Sequence, residues 1–94
     1  MSDTTVVKLS RPIKDGDGKE IAELTLREPL VGDLIKAEKF QGKIAYTTAM
    51  MASVTGLTIP VLEKLRASDF NKCDRAMGGL MGNFRDQDGD EAQS

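Results

Sequence analysis

The sequence predicts an α+β domain in which an N-terminal antiparallel β-hairpin is followed by a small bundle of three to four helices and a disordered acidic C-terminal tail. Three observations point there. The run Ile21-Ala22-Glu23-Leu24-Thr25-Leu26 alternates like a half-buried strand and stops at Pro29, after which a helical pattern begins. Two Asp-Gly pairs, Asp15-Gly16 and Asp17-Gly18, mark a turn ahead of that run. Beyond Pro29, apolar residues recur at three- and four-residue steps as far as Phe84, and the chain then becomes acidic. A single domain over residues 1–84 with a tail over 85–94 accommodates all three.

The first strand is expected at about 5–9, where Thr5-Val6-Val7-Lys8-Leu9 is rich in β-branched residues, and the second at about 19–27. Ala22, Leu24 and Leu26 share one face of the second strand. Glycine takes the positive φ that tight turns need, so the Asp15 to Gly18 segment reverses the chain, with Ile13 a candidate to pair across it with Ile21. A two-stranded ribbon is marginal alone in water, so its apolar face must be covered by the helices.

Pro29 cannot donate to a ladder and disfavours helix at Glu28, which ends the strand. Helices are expected at about 31–41, 44–55, 59–66 and 69–83. Asp33 or a neighbour caps the first, whose face is Leu34, Ile35, Ala37 and Phe40, with Gly42 as its stop. From Ile44 to Val54 the chain is apolar or small around most of a helix, which predicts a central or doubly covered element ending at Gly56. Thr58 caps the third helix, with Pro60 early enough to be tolerated. Ser68 or Asp69 caps the last, where Phe70, Cys73, Met77, Leu80, Met81 and Phe84 form the cleanest stripe and Gly78, Gly79 and Gly82 loosen it.

With 39% apolar and 30% charged residues, the chain has the composition of a folded domain, yet 94 residues bury only a small core. Aromatics are few, and Met50, Met51, Met77 and Met81 give the helical half an adaptable filling. A net charge of −2 with scattered basic residues argues against nucleic-acid binding. The N-terminus has no signal-peptide pattern and no apolar run spans a bilayer, so a cytoplasmic location and no membrane partner are expected. One cysteine, Cys73, excludes an internal disulfide framework.

Catalytic chemistry finds little support. There is no histidine, the commonest base and metal ligand at neutral pH. Cys73 therefore has no histidine to activate it and reads as a packing residue, and no zinc set exists. Asp15-Gly16-Asp17 and Asp86-Gln87-Asp88-Gly89-Asp90 both open like a calcium loop. The first continues with Lys19 and Glu20 where a ligand and a glycine are needed, and the second reaches Glu91 at the glycine position and ends too soon. A turn and a solubilising tail are the simpler readings. Neither Gly16-Asp17-Gly18 nor Gly42-Lys43-Ile44 completes a nucleotide fingerprint, and Glu20, Glu23 and Glu28 have nothing to bury them. No cofactor or metal is expected, and the protein is not read as an enzyme. The apolar faces are more suggestive, because a partner helix could lie in a groove between the 44–54 helix and the last one.

The order Val7-Lys8-Leu9, Pro12-Ile13, Gly18-Lys19-Glu20-Ile21, Leu24-Thr25-Leu26-Arg27-Glu28-Pro29 and Gly32-Asp33-Leu34 resembles the opening of the tail assembly chaperones of contractile-tailed, Mu-like bacteriophages. Leu57-Thr58-Ile59-Pro60-Val61-Leu62-Glu63-Lys64-Leu65, then Ser68-Asp69-Phe70 and a closing amphipathic helix, is similar to the family's ending. The resemblance covers residues 6 to 84 or so and contains no catalytic signature. It implies a small non-enzymatic factor of the infected or prophage-bearing host's cytoplasm. Such a factor binds the long, helical, aggregation-prone tape measure protein, keeps it soluble, helps tail tube subunits polymerise around it, and is absent from the mature virion. It further implies a longer form made by translational frameshifting, which would depart near the acidic segment.

The resemblance supplies no residue-level binding motif. The residues of this sequence that best suit a client surface are Met50, Val54, Met77, Leu80, Met81 and Phe84, with ordinary core as their competing role. A second copy of the chain could cover the same face, making a homo-oligomer. The alternative to a chaperone is a minor structural or tail-completion subunit retained in the particle. A nucleic-acid-binding regulator would need a basic face that the balanced charge does not promise.

Overall fold

The computed structural model describes residues 4–82. The expected tail at 85–94, together with Phe84, lies outside the described residues. Strands β1 (Thr4–Lys14) and β2 (Glu20–Arg27) form one antiparallel hairpin, followed by helices α1 (Val31–Ala37), α2 (Lys43–Thr55), α3 (Ile59–Leu62) and α4 (Ala67–Leu80). The architecture is α+β, as the alternation before Pro29 and the helical spacing after it require.

β1 runs five residues past its expected end at Leu9, and it does so by breaking register. Thr4 to Lys8 pair with Arg27 to Glu23, Ile13 and Lys14 pair with Ile21 and Glu20, and the stretch between Lys8 and Ile13 is irregular. Pro12 sits in that irregularity, where its missing N–H costs no ladder bond. Beyond the break the inward face changes hand: Ile13 is buried and Ile21 half-buried, while Ala22, expected inward with Leu24 and Leu26, is exposed. The turn closes on Asp15, whose Oδ1 accepts from the N–H groups of Asp17 and Lys19, both at 2.9 Å, with Gly18 at φ 82°.

Helix ends also depart from the sequence reading. Leu30 is the N-cap of α1 and Asp33, three residues on, accepts its N–H, in keeping with a cap at Asp33 or a neighbour, but α1 stops at Ala37, short of residue 41. Gly42, at φ 93°, opens α2 instead of closing α1. Gly56 does end α2, in the left-handed conformation with its N–H on the Ala52 carbonyl. α3 is a single turn with Pro60 at its start and ends at Leu62, short of the expected residue 66. α4 begins two to three residues earlier than its expected caps, with Arg66 as N-cap and Asp69 inside the first turn.

The core joins Val7, Leu24 and Leu26 of the hairpin to Ala37, Ala49, Met50, Met51, Val54, Leu62, Cys73 and Met77 of the helices. α4 lies on both strands, whereas α2 packs on α1, α3 and β2. α2 is not covered all round: Ile44 in its first turn is 70% exposed. The expected face of α1 buries only Ala37 fully, leaving Ile35 and, just past the helix, Phe40 open to solvent.

Two buried carboxylates fasten helices to the hairpin. Asp33 accepts from Arg27 at the end of β2 through Nη1 (2.7 Å) and Nη2 (3.2 Å), from the Leu30 N–H (2.7 Å), and from the Ser53 hydroxyl of α2. Arg27 Nη2 also donates to the Ser53 carbonyl at 3.3 Å. One side chain therefore gathers β2, α1 and α2. On the other side Asp69 of α4 accepts from the Ser10 N–H at 2.9 and 3.0 Å and from the Ser10 hydroxyl at 3.0 Å, meeting β1 inside its irregular stretch. Lys72 adds a donated bond to the Lys8 carbonyl at 3.0 Å and lies 3.3 Å from Asp69. Each carboxylate supplies the acceptors that a broken ladder or an uncapped helix start would otherwise lack.

Candidate functional site

The Asp33 and Asp69 attachments hold α1 and α2 on one side of the hairpin's inner face and α4 on the other. A groove of about 290 Å³ opens between these two walls. Leu34 of α1 and Lys43, Tyr46, Thr47 and Met50 of α2 form one wall; Asp74 and Met77 of α4 and Met81 at its C-cap form the other. Met50 and Met77 are buried and make the floor, while Tyr46 and Met81 are half-buried at the rim. Lys43 and Asp74 bring one charge of each sign.

Of the residues expected from sequence, Met50, Met77 and Met81 do converge on this groove. Val54 and Leu80 do not line it: Val54 is in the core, and Leu80 is half-buried against the core. Phe84 lies outside the described residues. Leu34, Lys43, Tyr46, Thr47 and Asp74 were not anticipated. The one available signal was Tyr46, the sole tyrosine of the chain, carrying a polar hydroxyl on an otherwise apolar helix.

On the far side of α2 a second groove of about 280 Å³ lies among Ile44, Thr48, Leu62, Leu65 and Phe70. The first half of α2 thus stands between two depressions. Beside it, Leu30, Val31 and Ile35 are 67%, 70% and 59% exposed. Val31 and Ile35 are one helical turn apart and share a face. Solvent-facing apolar side chains at this density on so small a domain are a recognisable sign of an interaction surface.

The titratable groups Asp33, Asp69 and Cys73, whose equilibria are shifted, lie outside the groove lining. The hydrogen bonds from Arg27 hold the Asp33 carboxyl well below the usual carboxylate range; burial opposes them, and Ser53 and the Leu30 N–H reinforce them. At Asp69 burial is the largest influence and pushes upward, but the Ser10 N–H, the Ser10 hydroxyl and Lys72 together outweigh it and leave the carboxyl lowered. Both groups are therefore fixed anions with structural partners. Burial, with the Asp69 charge second, pushes the Cys73 thiol up to about 11, so it stays protonated at neutral pH. Among the described residues no group of three or more histidine, cysteine, aspartate or glutamate side chains could hold a metal ion, and no helix is long and apolar enough to cross a membrane. What the arrangement offers is a mostly apolar depression with room for one or two large side chains.

A family model described as "Phage tail assembly chaperone proteins, E, or 41 or 14" matches residues 6–82, a span that takes in both walls of the groove. No curated protein and no solved structure matches the chain.

Proposed function

Since the chain belongs to the phage tail assembly chaperone family, we propose that its client is the tape measure protein, which it binds through the groove between α2 and α4 and keeps soluble until tail tube subunits assemble around it. The observation that carries this reading is the methionine-floored groove with Tyr46 and Met81 at its rim. Methionine side chains repack around differently shaped partners, which suits a client presenting many non-identical helical segments. The family role is assembly, which suggests a non-enzymatic protein.

Magnitudes favour transient cover. Fully burying a large apolar side chain yields about 1.5–3 kcal/mol. Two anchors in one groove then give about 3–6 kcal/mol before the costs of association, which corresponds to a dissociation constant of tens of micromolar at best. Stable cover of a long client therefore calls on the exposed face of Leu30, Val31 and Ile35, on several copies along the client, or on a frameshift-extended form with further contacts. A weak individual grip also permits release when tube subunits arrive. In this reading the protein works in the host cytoplasm and is left behind when the virion is complete.

The test is co-expression with the tape measure protein from the natural coding region, so that any extended form is also made. Wild-type chain is expected to co-purify with the client and raise its soluble fraction. Met81→Asp and Tyr46→Asp, both at half-buried rim positions, are expected to remain folded and lose the client. A client that stays insoluble and unbound, with this chain recovered stoichiometrically in purified particles, would replace the chaperone reading with that of a retained tail subunit.

A further inference from the structure

The groove between α2 and α4 holds a buried hydroxyl that the fold leaves unpaired. Thr47 lines the groove and is only 3% exposed. Thr48 and Thr55 of the same helix return their hydroxyls to the carbonyls four residues back, those of Ile44 and Met51, both at 2.7 Å. Thr47 has the Lys43 carbonyl in the same relation and does not use it; among the described residues its hydroxyl has no hydrogen-bond partner. A hydroxyl shut away from water without a partner costs free energy, and such groups are rare in native proteins. Asp74, half-buried on the facing wall, is in the same condition. The residues three and four positions from it along α4 are Phe70, Asn71, Met77 and Gly78, none of them cationic, and among the described residues its carboxylate has no ion pair or hydrogen bond. Lys43, exposed at the start of α2, has an equally unpaired ammonium among the described residues.

Resting on the chaperone reading, we propose that the groove selects client segments carrying a primary amide side chain, glutamine foremost, whose stem lies on the methionine floor and whose amide pairs with Thr47 and Asp74. Charge decides the class. A carboxylate entering the groove meets Asp74 and a guanidinium or ammonium meets Lys43, whereas a neutral group escapes both repulsions. That neutral group must donate, because the Asp74 carboxylate only accepts, and must accept, because the Lys43 ammonium only donates. An amide carries two donors and an acceptor on one planar head, and the Thr47 hydroxyl pairs with either function. Glutamine sets that head on two methylenes, an apolar stem that suits Met50 and Met77. A purely apolar side chain would fill the same space yet seal Thr47 and Asp74 beneath it without partners, so the groove discriminates against segments that offer apolar residues alone.

Thr47→Val separates this role from a structural one. In the client-free protein the exchange removes an unpaired hydroxyl, so the urea midpoint is expected to stay at or above that of wild type. A lower midpoint would mean that the fold itself uses the hydroxyl and would overturn the proposal. Overlapping segments of the tape measure protein are then immobilised and probed with the full-length wild-type and Thr47→Val chains. Segments that capture wild type are expected to carry a glutamine or asparagine and to lose roughly two- to tenfold in affinity when that residue becomes leucine. Thr47→Val should show the same loss, with no further loss when the two changes are combined. Capture that either exchange leaves at full strength overturns the amide assignment while the chaperone reading stands; segments that capture neither chain overturn both.

Discussion

Asp69 is the most demanding test of how this domain is held together. Its side chain is fully buried, and its two oxygens take the Ser10 N–H at 2.9 and 3.0 Å and the Ser10 hydroxyl at 3.0 Å across 59 positions of sequence. A hydrogen bond to a charged group contributes about 1.5–3 kcal/mol and a neutral one about 0.5–1.5. Asp69→Asn keeps one acceptor, loses the charge and turns an amide donor toward Ser10, so it is expected to cost about 1–2 kcal/mol. Asp69→Ala removes every acceptor; because Ser10 is exposed, water recovers part of the loss, which leaves about 2–3 kcal/mol. Lys72, 43% exposed at its side chain, adds little, since pairs reaching solvent are worth about 0–1 kcal/mol. Urea unfolding at neutral pH measures these differences, and Ser10→Ala, combined with Asp69→Ala, should prove non-additive because the two share one interaction. An Asp69→Asn protein within about 0.5 kcal/mol of wild type, the range of ordinary surface changes, would refute this account of the α4 attachment.

Three further outcomes follow from the same contacts. Asp33 and Asp69 both have carboxyl pKa values depressed below the ordinary 3.8; their contribution is present above that value and is lost as pH falls from about 4 toward the folded values. Urea unfolding between pH 7 and pH 2 should show stability dropping below about pH 4, with the drop reduced in Asp33→Asn and Asp69→Asn. Cys73, fully buried with its thiol near 11, has about one molecule in a thousand as thiolate at pH 8, so a thiol reagent should label the native protein only as fast as it opens, and burst labelling in buffer would contradict the burial. Met77→Asp places a charge at a core site 1% exposed and should abolish folding or cost more than about 3 kcal/mol, whereas Met81→Asp should change thermal stability by less than about 1 kcal/mol while still losing the client.

The parts of the fold visible in the sequence are those set by local rules. Alternation up to Leu26, the stop at Pro29 and the left-handed end at Gly56 each depend on neighbouring residues alone. In the far half of β1 the pairing of Ile13 with Ile21 across the Asp15 to Gly18 turn was legible, whereas the break in register that accommodates Pro12 is revealed only by the partner strand. Asp33 and Asp69 occupy positions where a capping role is the natural reading. Their main partners, Arg27 with Ser53 and Ser10, are fixed by tertiary structure. Helical periodicity likewise identified Met50, Met77 and Met81 as one apolar population but could not say that two would form a floor and one a rim. Nor could it foresee that Val31, Ile35 and Ile44 would stay uncovered, since α1 is too short to carry its neighbours under cover.

The two carboxylate attachments have a dynamic corollary. They tie different helices to different strands and share no side chain, so the α1–α2 leaf and the α4 leaf meet the hairpin through separate polar contacts while one apolar core joins them. Slow hydrogen exchange should accordingly divide the domain into two opening units, one released with the Ser10 contact and one with the Arg27 contact. Loss of one attachment would leave the other leaf still fastened to the hairpin, so the two polar anchors back each other up.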